Sequence, residues 1–131
     1  MTSGLYTYFL VALGGALGSM ARQWCGVAAA RVWGIDFPWG TIAINILGSF
    51  VIGAFAALTD INGRWPMGGF ARQFVMVGLC GGYTTFSSFS LQTLTLLRDG
   101  LYLEAGLNVV LSVVLCLIAV ALGHFLAMQV N

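Results

Sequence analysis

The run Gly81-Gly82-Tyr83-Thr84-Thr85-Phe86-Ser87-Ser88-Phe89-Ser90 gathers the groups in this chain best suited to handling an ion. Two adjacent glycines followed by two β-branched threonines weaken a helix and expose its backbone. A break inside an apolar segment frees carbonyl oxygens, which must be buried or given an ion. Helix ends that meet at such a break can coordinate a small cation. The same residues also suit a close helix crossing at the glycines, with the hydroxyls bonding back to their own backbone. On residue types alone both readings stand.

Other groups extend this picture. Phe86 and Phe89 are three apart and share a helix face. An aromatic ring has a negative face and a positive edge, so edges turned toward a pathway would meet an anion without a fixed charge; simple packing is the alternative. Ser87, Ser88 and Ser90 add hydroxyl donors nearby. Thr41 and Asn45 are four apart on one face, and the Asn45 amide offers two N–H donors to an anion or to another helix. Asn108, Ser112 and Cys116 form a stripe at four-residue intervals, readable as a donor track or as interhelical bonding. Arg22 either lends positive potential to a vestibule or snorkels at an interface. Cys25, Cys80 and Cys116 read as small apolar fillers, without a metal site or disulfide framework. His124 has no evident partner, and no nucleophile–base pair or metal-ligand cluster suggests an enzyme.

The elements that must position these groups follow from where charge is missing. Only 7% of the 131 residues are charged, none is Lys, and 60% are apolar, whereas a soluble domain carries about 25% charged residues. A net charge of +1 offers no basic cluster for nucleic acid, which is therefore excluded as a partner. Positions 1–21, 37–59, 73–97 and 105–131 contain no charge at all. Each is long enough to cross about 30 Å of hydrocarbon, where the backbone must satisfy itself. The expected fold is an all-α membrane protein, a single domain over 1–131 with spans at about 6–30, 39–59, 70–97 and 102–128 and the third broken mid-membrane. The first segment is not read as a signal peptide, since its first basic residue, Arg22, follows the apolar core.

Arg64 and Arg72 fall on one side of this layout and Arg22, Arg31 and Arg98 on the other. That bias is too small to choose an orientation, so the chain can insert both ways. Four helices alone also enclose a pathway poorly while carrying Asn45, Thr84, Thr85, Ser87, Ser88, Ser90, Asn108 and Ser112 within their spans. A homodimer is the expected remedy.

Three stretches then carry a family resemblance. Gly14-Gly15-Ala16-Leu17-Gly18 with Arg22, Pro38-Trp39-Gly40-Thr41 through Asn45 to Gly48, and Gly78-Leu79-Cys80 running into the Gly81–Ser90 segment resemble, along the whole length, the bacterial Fluc (CrcB) fluoride channels. The resemblance implies a dual-topology, antiparallel homodimer in the cytoplasmic (inner) membrane, surrounded by lipid, that exports fluoride passively through two pores and excludes chloride. It implies a structural sodium ion on the dimer axis, held by the main-chain carbonyls of Gly81 and Thr84. It makes Phe86 and Phe89 the pore-lining rings, Asn45 the donor beside them and Thr41 its support. Ser88 and Ser112 fall on the polar track, with Arg22 at the vestibule. Two positions depart from the family pattern: Gln92 stands where an acidic residue is common, and Asn108 lies near a common tyrosine.

A proton-driven exporter of similar size is the rival reading, but it needs a titratable group inside the membrane. Glu104, at the mouth of the last span, is the only acidic residue near one. A non-transporting assembly subunit is the third.

Overall fold

A computed structural model describes residues 2–131, with side chains from Ser3 onward; Met1, the first residue of the expected domain, lies outside the described residues. Every regular element among the described residues is a helix. α1 is Thr2–Trp33 and α2 is Trp39–Thr59. The third hydrophobic segment, Gly69–Arg98, is two helices. The first, α3 (residues 69–83), contains an α-helical turn Gly69–Arg72, a π-helical stretch Gln73–Cys80 and a last turn Gly81–Tyr83. The second, α4, is Phe86–Arg98, and α5 is Tyr102–Val130. Four segments are thus long and apolar enough to cross a membrane. The outer two extend beyond the expected 6–30 and 102–128.

The break falls inside the expected Gly81–Ser90 run, at its threonines and not at its glycines. Gly81 and Gly82 remain helical, and the extended residues are Thr84 (φ −82°, ψ 159°) and Thr85 (φ −150°, ψ 112°). The glycines serve a crossing instead. A Cβ at Gly14 or Gly18 of α1 would overlap backbone of Phe74 or Leu79 in α3. A Cβ at Gly82 would lie 2.6 Å from the Gly15 carbonyl. These small residues let two backbones touch, as membrane helices require when no hydrophobic drive separates lipid from protein. β-Branched Thr84 and Thr85 are the weaker helix formers after the crossing, and there the helix yields.

α2 lies against α5, and α1 against α3. Polar ties secure the ends. The Arg72 guanidinium donates to Thr59 Oγ1 at 2.6 Å and to the Ala56 carbonyl at 3.3 Å, serving one carbonyl in the last turn of α2. Arg64 donates through Nη1 to the Val130 carbonyl, and its backbone N–H donates to Asn131 Oδ1, both at 2.8 Å. A cation at a helix C-terminus meets the negative end of its dipole. Large apolar side chains, among them Leu103, Leu117 and Phe125, stay exposed along α5, a surface that suits hydrocarbon rather than water.

Candidate functional site

The break between α3 and α4 is held by one side chain from α2. Asn45 donates from Nδ2 to the Thr85 carbonyl at 3.0 Å, and Asn45 Oδ1 accepts from the Thr85 N–H at 2.7 Å. The amide thereby replaces both bonds that a continuing helix would have given this peptide. One N–H of the amide remains for another acceptor.

Thr85 then starts the next helix. Its Oγ1 accepts from the Ser88 N–H at 3.2 Å and lies 3.1 Å from Ser88 Oγ. This is side-chain capping of an otherwise unpaired helix N-terminus. Ser88 is therefore engaged in the cap. On the other side of the break, Thr84 donates through its N–H and its Oγ1 to the Cys80 carbonyl, at 3.0 and 2.9 Å.

The carbonyls around the break divide into two kinds. Gly82 O accepts from Arg22 Nε at 3.1 Å and from Ser19 Oγ at 3.4 Å. Arg22, half-buried, thus puts its charge on the last turn of α3, just before the break. By contrast, no hydrogen bond reaches the carbonyls of Gly81 or Thr84 among the described residues. The Thr85 N–H, which would have served Gly81, goes to Asn45.

A groove of about 410 Å³ opens beside these groups. Asn45, Thr85, Phe86, Phe89 and Ser112 line it, with Gly81 and Thr84 on its wall and apolar residues over most of the rest. The two rings lie 5.2 Å apart at 53°. Their settings differ: Phe89 is 8% exposed and Phe86 76%. This chain grips one ring and leaves the other uncovered.

The sequence candidates are thus partly assembled. Asn45, Phe86, Phe89, Ser112, Gly81 and Thr84 share the groove; Thr41, Ser88 and Arg22 do not line it. No hydrogen bond joins Thr41 to Asn45 among the described residues. Thr85, which the sequence marks as a helix-weakening and intramembrane polar residue but not as a site residue, is the hinge of the site. A threonine just ahead of a resumed helix is a favoured N-cap type, a signal that could have marked it. Thr93, which donates to the Phe89 carbonyl at 2.8 Å and accepts from Asn108 Nδ2 at 2.9 Å, had no distinguishing signal.

Residues 9–124 match the family described as CrcB-like protein, Camphor Resistance (CrcB). The chain is similar to a protein of Rhodospirillum rubrum named "Fluoride-specific ion channel FluC", 62% identical over 125 residues, covering 95% of this chain and 97% of that one. Proteins with the same name from Methylocella silvestris and Opitutus terrae are each 56% identical. Those matches cover 95% of this chain in both cases, and 95% and 94% of the relatives.

Proposed function

The chain belongs to the CrcB-like family, and from that premise we propose that it is a fluoride-selective ion channel, acting passively as a dual-topology, antiparallel homodimer. It is a multi-pass membrane protein and not an enzyme. The observation that carries the reading is the groove in which the second amide N–H of Asn45, the Ser112 hydroxyl and the Phe86–Phe89 pair meet on largely apolar walls.

Fluoride is small and strongly hydrated, so entry requires donors and positive ring edges in place of water. No cationic side chain lines the groove among the described residues. Binding there is accordingly weak enough for release, as conduction demands. Phe86 is the ring that needs a second surface, and the partner copy supplies it. With each copy offering such a groove, a dimer has two pores.

The donor-free carbonyls of Gly81 and Thr84 fit a structural sodium ion. A hard cation takes oxygen ligands, and usually more than the two offered by one chain, so the second copy would complete the set. Bound there, sodium supplies positive potential and joins the two protomers. Thr41 stands one turn before Asn45 on α2 as its support, off the groove lining, and Ser88 is held in the cap that Thr85 makes at the start of α4. Arg22 acts through the Gly82 carbonyl.

Fluoride efflux from proteoliposomes, followed with a fluoride electrode, tests the reading. Rapid efflux without a proton gradient is expected, with chloride retained. No efflux from verified, folded dimer would overturn it.

A further inference from the structure

The most deeply buried side chain of the described residues is Asn108, at 0% exposure. It lies on α5 one turn from Ser112, which lines the groove, whereas Asn108 itself does not. Its bonds form a chain with a fixed direction. Thr93 has one hydroxyl proton and gives it to the Phe89 carbonyl at 2.8 Å. The Thr93 oxygen therefore receives from Asn108 Nδ2 at 2.9 Å. That orients the amide with Oδ1 toward Ser112, whose Oγ donates to it at 3.4 Å.

We propose that Asn108 and Thr93 are positioning residues that set Phe89 for conduction and fix only the resting hydroxyl direction of Ser112, without touching the ion. This rests on the channel reading above. The relay joins α5 to the backbone of the one ring that this chain grips. It also commits the Ser112 proton inward, so that its lone pairs face the groove. An anion needs the opposite, a hydroxyl turned outward. The long Ser112–Asn108 contact is the weakest link of the chain, and it is the one that must open when fluoride passes. The fully buried amide stays paired to Thr93 while it does so, since an unmatched buried donor is costly.

The test compares efflux per folded dimer in proteoliposomes, with thermal stability measured in detergent on the same samples. Thr93→Val is expected to slow fluoride efflux about tenfold, the worth of one hydrogen bond, and Thr93→Ser to keep the unaltered rate. Asn108→Leu combined with Thr93→Val is expected to be no slower than the slower single variant, because both act through one chain of bonds. Unaltered efflux in Thr93→Val would overturn the relay, even if stability falls. So would a multiplicative loss in the double variant, which would mean that Asn108 meets the ion independently. Should Thr93→Val fail to fold, Thr93→Ala carries the same expectation. No efflux from the unaltered protein would overturn the channel reading, and the relay's role in conduction with it.

Discussion

The Asn45 side chain forms a two-bond pair with the Thr85 peptide, at 3.0 Å to its carbonyl and 2.7 Å from its N–H. One residue of α2 thereby stands in for a turn of helix at the point where the third membrane segment is interrupted. It also holds the start of α4, and with it both aromatic rings, against the groove.

Asn45→Leu should therefore act on conduction and on stability together. Removing the amide leaves a half-buried N–H and C=O unpaired, at a cost of about 1–3 kcal/mol each. Thermal unfolding in detergent should show the loss, and fluoride efflux should fall at least as steeply. Asn45→Asp keeps the acceptor for the Thr85 N–H but sets a carboxylate against the Thr85 carbonyl, so it should not rescue either quantity.

Phe86→Ile should separate the two. Phe86 is exposed within one chain, so its loss removes little internal packing. The variant should remain a dimer by size-exclusion chromatography and lose most fluoride efflux. Normal efflux would remove the ring-edge account.

The glycine crossing makes a structural prediction. Gly18→Ala places a Cβ on the Leu79 carbonyl, and backbone cannot move aside as a side-chain tip can. Overpacking of this kind costs about 1–3 kcal/mol or more, and it would displace α3 just before the break. Gly26→Ala, on the same helix with nothing within 4 Å, should be neutral or slightly stabilising, by up to about 1 kcal/mol. Thermal midpoints of the two variants, measured side by side, check the contrast.

Replacing sodium by a large organic cation should lower dimer stability and slow fluoride efflux, and restoring sodium should reverse both. Stability and efflux that ignore sodium would remove the cation from the Gly81–Thr84 carbonyls.

How far these features were legible in the sequence depends on their range. Spans are dictated by the absence of charge over 37–59 and 73–97, a local property that membrane crossing enforces directly. The break was visible as a weak point in Gly81–Ser90, but its position was not. Glycine weakens an isolated helix, yet Gly82 stays helical because its missing side chain admits α1. The threonines unwind because Asn45, 40 residues away, takes the Thr85 peptide. Spacing along the chain says that Thr41 and Asn45 share a face; it does not say which backbone the amide meets. Arg22 is a similar case: its charge was evident, and its target, the Gly82 carbonyl, is fixed only by the α1–α3 crossing. The π-helical stretch Gln73–Cys80 left no local signature, since its residues are ordinary helix and core types.

The central claim is that fluoride itself carries current through this protein, driven by its own gradient. A reversal potential measured in planar bilayers, with fluoride unequal and chloride equal across the membrane, tests it most directly. The current should reverse at the fluoride equilibrium potential and stay there when a pH gradient is imposed. Reversal at zero voltage, a shift with pH, or no current from incorporated dimer would contradict the account.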